Sequence, residues 1–147
     1  MYACCLHDLD DLQEAYGYPI SAENAAEELM EEADDLMELL VMLAKKQLPG
    51  TNLQHVFKPL DNRQSNFTEL QLSKASAKSK TRRNPKLRIY AVRIGENTYV
   101  VTGGAIKLTN RMDERPHTQR QLRKLISVKD WLKREGICYP EDLTDLS

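Results

Sequence analysis

The chain has 147 residues, is 41% hydrophobic and 29% charged, and suits a single domain with one moderate core that needs no staples. Its three cysteines, Cys4, Cys5 and Cys138, set up no disulfide framework because sequence neighbours rarely bridge, and its longest apolar run, Leu39 to Ala44, cannot span a bilayer. The net charge of -1 is a cancellation: residues 1–70 hold 4 Lys and Arg against 14 Asp and Glu, whereas residues 71–136 hold 17 against 5.

A soluble, cytoplasmic protein with no membrane partner is therefore expected. The charge asymmetry predicts opposed surface fields, one suited to a polyanion such as RNA and one able to shield that surface or face a basic partner. Mutual pairing of the two halves is the alternative.

In chain order, "MYACCL" is a short edge-strand candidate and "HDLDDLQEAYGYP" an acidic helical turn ended by Gly17 and Pro19, so residues 1–20 read as an acidic N-terminal extension. Ser21 is the N-cap of a long amphipathic helix, with apolar residues at Ala26, Leu29, Met30, Ala33, Leu36, Met37, Leu40, Leu43 and Ala44. Pro49-Gly50 should stop it, with Lys45 and Lys46 in the last turn. Its other face carries Glu23, Glu27, Glu28, Glu31, Glu32, Asp34, Asp35 and Glu38. Without clustered histidines or a glycine-centred calcium loop, this predicts a solvated face, with no metal and no cofactor.

"TNLQHVFKPLDNRQSN" connects, tucking His55, Phe57 and Leu60 against the core. "FTELQLSK" then alternates as a strand. Residues 73–86, "SKASAKSKTRRNPK", bring Lys74, Lys78, Lys80, Arg82, Arg83 and Lys86 into a basic flexible loop with no apolar anchor. It reads as an RNA-binding segment ordered by its anionic partner, or else as a merely soluble linker. "KLRIYAVRI" sets Leu87, Ile89 and Ala91 on one side and Arg88, Tyr90 and Val92 on the other. A turn at Gly95-Glu96-Asn97 and the strand "TYVVTGGAIKLT" complete a hairpin over 86–109. Thr118 with Gln121 fits a capping box, Leu122, Leu125, Ile126 and Leu132 give a helical stripe with Trp131 packing at its edge, and Gly136 ends that helix. An acidic tail, residues 137–147, closes the chain. Helices, a three-stranded meander and a helix make an α+β class.

The stretch "TGGAIKLT" invites a phosphate-loop reading and fails it. A nucleotide loop needs four residues between its glycine and Gly-Lys-Ser/Thr, with a helix starting at the lysine, whereas Gly103 and Gly104 are adjacent and strand or turn sequence runs on to Pro116. Glycine within a strand predicts a bulge or the close approach of another backbone, which would re-aim Lys107.

The run "PGTNLQHVFKPLDN…FTELQLSK…KLRIYAVRIGENTYVVTGGAIKLTNRM…RPHTQRQLRKLISVKDWL" resembles the RelE/ParE toxin superfamily, in particular its phage-derived HigB-like branch, over about residues 20–135. Gly50–Leu53, Phe67–Leu72, Leu87–Ile94, Tyr99–Thr109 and Gln119–Arg134 take the places of that pattern's segments. The resemblance implies N-terminal helices packed on a small antiparallel sheet with a C-terminal helix. It further implies a type II toxin that cuts messenger RNA on the ribosome and is held by an antitoxin.

On this resemblance Lys107 and Arg111 match the basic cluster after the last strand. Arg88 and Arg93 have opposite parity, and Arg88, on the side of Tyr90, is the one expected to face the site. His117, in "RPHT", is the candidate acid/base because imidazole titrates near neutrality, with Arg115 and Arg120 around it as RNA contacts. A lone histidine can equally be a surface or capping residue. Tyr90 and Tyr99 read as core aromatics or as base-stacking platforms. The acidic opening, long basic loop and acidic tail depart from the pattern. Two other activities therefore stay open: a non-catalytic binding or regulatory module, and a ParE-like gyrase inhibitor.

Overall fold

The computed structural model describes residues 21–60, 70–78, 84–106 and 116–146. The first helix, α1 (Ala22–Ala44), starts as its sequence requires: the Ser21 hydroxyl accepts a hydrogen bond of 3.2 Å from the Asn24 N–H. Leu29, Leu36 and Leu43 are fully buried along its inner side. The helix ends before Pro49-Gly50. Lys46 N–H donates to the Leu43 carbonyl at 3.1 Å and Gln47 N–H to the Met42 carbonyl at 2.9 Å, a Schellman closure with Lys46 at φ 56. Glycine usually occupies that position because a Cβ there is crowded. Lys46→Gly should therefore raise stability by about 0.5–1 kcal/mol after the entropy of the added glycine is counted, seen as a higher urea midpoint at unchanged slope.

Glu32 departs from the expected solvated face, being 3% exposed. Its carboxylate turns inward and accepts from two backbone N–H groups at the start of the third strand: Lys86 donates to Oε2 at 3.1 Å and Leu87 to Oε1 at 2.7 Å.

A one-turn helix, α2 (Leu53–Val56), follows. Its His55 is exposed rather than tucked into the core, and its Nδ1 accepts from Asn52 N–H at 3.0 Å. Phe57 is buried and Leu60 half-buried, as expected. Asn97, at φ 52 in the later hairpin turn, accepts from Leu53 N–H and donates its own N–H to Gln54 Oε1, both at 2.8 Å. This exchange pins α2 to the hairpin.

The sheet is a four-stranded antiparallel meander in the order β1 (Lys58–Pro59), β2 (Gln71–Ala75), β3 (Leu87–Gly95) and β4 (Thr98–Ile106). The two-residue β1 is additional to the three strands expected. β2 reaches into the segment expected to be loop, so Lys74 lies in a strand. Ala75 and Ala77 are buried in the same cluster as Leu36 and Leu40 of α1, which anchors the described part of that segment. Side-chain parity in β3 is as expected: Ile89 and Ala91 pack with α1, whereas Tyr90, Val92 and Ile94 pack with the last helix.

That helix, α3 (Pro116–Arg134), begins with proline in its first turn, where a missing N–H costs nothing. Thr118 therefore lies inside the helix and the expected capping box with Gln121 is not formed. Leu125 and Leu132 are buried and Leu122 is half-buried, but Ile126 is 43% exposed. Gly136, at φ 71, ends the helix in a second Schellman closure, with bonds from Gly136 to Lys133 and from Ile137 to Leu132. Beyond it, Asp142 Oδ2 accepts from the N–H groups of Cys138 and Tyr139 at 2.9 Å, which holds its carboxyl below the usual range.

The architecture is α+β: α1 and α2 on one face of the sheet, α3 on the other, and a core cluster in each layer. Among the described residues no helix is long and apolar enough to cross a membrane.

Candidate nucleic-acid interface

The sheet face beneath α3 carries a cross-strand row. Lys58 pairs with Lys74, Lys74 with Tyr90, and Tyr90 with Gly103, so these four side-chain positions share one face. Arg88 lies on the same face, two residues from Tyr90, opposite Ala105. Arg93 faces the α1 side, with its Nε on the Gly95 carbonyl at 3.3 Å. The structure thus puts Arg88 beside Tyr90 and separates Arg93 from them.

Arg88 is half-buried, and its Nη1 donates to the carbonyls of Pro85 at 2.8 Å and Leu87 at 3.1 Å. Burial pushes its pKa below the usual value, while Tyr90 and Glu32 pull it back up. Tyr90 is 3% exposed, and burial raises its phenol pKa. Tyr99 stacks on Phe57 with ring centroids 4.3 Å apart. Tyr90 is a core aromatic, whereas Tyr99 is half-buried with one ring face against Phe57.

Gly103 and Gly104 act by close approach. Val101 pairs with Ala91 and Gly103 with Tyr90, leaving Thr102 as the extra residue of a β-bulge whose hydroxyl donates to the Tyr90 carbonyl at 3.3 Å. A Cβ on Gly104 would meet the Arg88 carbonyl oxygen at 2.8 Å, and one on Gly103 would strike Gln121 Oε1. The Gln121 oxygen is buried without a hydrogen-bond partner among the described residues. Lys124 reaches the same place, its Nζ 3.5 Å from where the Gly103 Cβ would stand. Both the bulge and the close backbone contact anticipated for the glycine pair are present.

Of the remaining candidates, Lys78 and Arg120 are exposed, and Lys86 is 9% exposed beside Glu32, its pKa lowered chiefly by burial. His117 belongs to the first turn of α3. The side chain of His117 lies outside the described residues, as do Lys80, Arg82, Arg83, Lys107, Arg111 and Arg115. Sequence reasoning missed Lys124, whose helical spacing from Arg120 was a usable signal. It also misjudged Trp131, which is 43% exposed rather than packed.

A pocket of about 510 Å³ bordered by Lys46, Asn52, Glu96 and Asn97 lies at the hairpin turn, the opposite end of β3 from Arg88. Among the described residues no group of three His, Cys, Asp or Glu side chains could hold a metal ion. No known protein family, curated protein or solved structure matches the chain.

Proposed function

We propose that the protein is a toxin-type endoribonuclease of RelE-like build that binds messenger RNA on the ribosome and is restrained by an antitoxin. The observation that carries the reading is the gathering of Lys58, Lys74 and Arg88 on one sheet face, under a helix that itself holds six lysines and arginines against one aspartate. Such a face attracts phosphate from a distance and holds it on contact.

Cleavage needs a base for the 2′-OH, cations where charge develops on the phosphorus, and an acid for the leaving oxygen. Arg88, Lys107 and Arg111 are the proposed cations and His117 the proton carrier. Induction in a bacterial host should arrest growth and create new transcript ends, and Lys107→Ala should abolish both. Intact messages with normal growth would sink the enzyme reading.

One observation favours a second reading, a non-catalytic RNA-binding module. The Arg88 Nη1 donor is already committed to two backbone carbonyls, which suits a structural role better than a transition-state contact. That module would bind single-stranded RNA with affinity falling by roughly 0.7 log units per log of salt for each phosphate neutralised, and would cut nothing.

A further inference from the structure

The outer side of α3 carries an arrangement that the proposed cleavage site does not use. Arg120, Lys124, Ser127, Trp131 and Arg134 recur every three or four residues, which aligns them along one side of a helix. All five are exposed, while Leu125 and Leu132 occupy the buried side. From Arg120 to Arg134 the strip is about 21 Å long at 1.5 Å per residue. Two carboxylates border the C-terminal half of this line, Asp130 four residues before Arg134 and Glu135 four residues after Trp131, while the stretch from Arg120 to Ser127 has none.

The indole, 43% exposed, belongs to neither core cluster. A tryptophan face flanked by lysine and arginine is the chemistry that binds an unpaired base while its neighbours hold the adjoining phosphates. One turn in from Arg120, Lys124 lies along the flank of α3 next to the sheet, its Nζ 3.5 Å from where a Gly103 Cβ would stand, so the strip runs from beside the candidate site outwards along the helix.

We infer that this side of α3 is a platform for single-stranded RNA, with one base stacked on Trp131 and phosphates held by Arg120, Lys124 and Arg134. This rests on the RNA reading above and adds a second, non-reacting contact surface to it. A duplex hides its base faces, so it can engage the cations without engaging the indole.

Trp131 is the chain's one tryptophan, so its emission reports on this spot alone. The full chain is titrated with a 2′-O-methyl RNA 12-mer, which resists 2′-OH attack, while the anisotropy of the labelled strand is followed in parallel. Saturable quenching with the same midpoint as the anisotropy is expected. Trp131→Ala should weaken binding about tenfold, within the range of one lost stack, and Trp131→Phe should restore most of it. The salt slope of Trp131→Ala should match wild type, because a stacked base neutralises no phosphate. Arg134→Ala should reduce that slope by about 0.7. An RNA duplex should bind without quenching, and DNA of the same sequence should bind more weakly than RNA.

Binding by anisotropy with no quenching, and with Trp131→Ala equal to wild type, would overturn the platform and leave the RNA reading standing. Quenching by duplex would also overturn it, and equal binding of DNA would overturn its assignment to RNA. No binding of any strand would overturn both. Melting by circular dichroism verifies that the exposed-site variants fold.

Discussion

Replacing Glu32 with leucine should destabilise the protein by about 2–6 kcal/mol, because each of two buried N–H donors left unsatisfied costs about 1–3 kcal/mol. Urea unfolding followed by circular dichroism would show it as a large fall in midpoint, or as a failure to fold. The carboxylate is the clamp between α1 and the first residues of β3, bonded to Lys86 and Leu87 through separate oxygens. Leucine fills the space but offers no acceptor. Glu32→Gln is the discriminating partner: its carbonyl can keep the 2.7 Å bond to Leu87, while its amide NH₂ would meet the Lys86 N–H donor to donor. It should lie between wild type and leucine. An equal loss in both variants would mean that charge, rather than the two bonds, is what matters.

The same substitution has a pH signature through Lys86. Burial holds that ammonium below its ordinary pKa of 10.5 and Glu32 pulls it back up. Without the carboxylate the folded-state pKa drops further. The unfolded chain then binds more protons in the window from the depressed value up to 10.5, so stability rises with pH across it. The added penalty from Lys86 is therefore full below the depressed pKa and is relieved as the pH climbs towards 10.5. A stability gap between Glu32→Leu and wild type that stays constant across alkaline pH would contradict this account.

What the sequence made legible was periodicity and chain reversal. The parity of β3, the turn at Asn97 and the stop at Gly136 rest on local rules and have their counterparts in the structure, whereas the apolar stripe of α1 does so only in part, since Met30 and Met37, counted in it, are exposed. Long-range partners were not legible. Glu32 looks like any other carboxylate on an acidic helix, because the two N–H groups that draw it inward lie more than fifty residues away in sequence. Ala75 and Ala77 did not register as an anchor, since alanine carries little apolar weight until a leucine of α1 covers it. Trp131 was expected to pack at the edge of the helical stripe, whereas it is 43% exposed, because a residue one helical step from Leu132 falls outside the strip that the sheet covers. For the candidate site, the pairing of Arg88 with Tyr90 on one face was readable from alternation. The engagement of the Arg88 donor by the Pro85 and Leu87 carbonyls was not, because nothing in a strand pattern says where a guanidinium folds back.

Gly104→Ala should cost more stability than Gly103→Ala, although the two glycines are neighbours in one strand. At Gly104 the new methyl would lie 2.8 Å from the Arg88 carbonyl oxygen, a backbone atom held by the β3–β4 ladder. It can be accommodated only by moving the strands apart. At Gly103 the obstacle is the end of the Gln121 side chain, which can swing aside, and its buried oxygen has no bond among the described residues to lose. Replacing glycine with alanine also restricts the unfolded chain, worth about 0.4–1 kcal/mol in favour of folding. Gly103→Ala should therefore stay within about 1 kcal/mol of wild type. Gly104→Ala should lose about 1–3 kcal/mol, the usual cost of overpacking. If the proposed RNA-binding function holds, affinity should fall with it, because that shift displaces Arg88 and the strand leading to Lys107. At Gly103, by contrast, Lys124 remains exposed, and on the proposed RNA reading affinity should hold. Urea midpoints and RNA titrations on the two variants give four values, and the two properties should fall together at Gly104 and at neither position apart. A Gly104→Ala protein as stable as wild type would mean that β4 is not held against the Arg88 carbonyl at all, and the close approach that orients this end of the site would have to be abandoned.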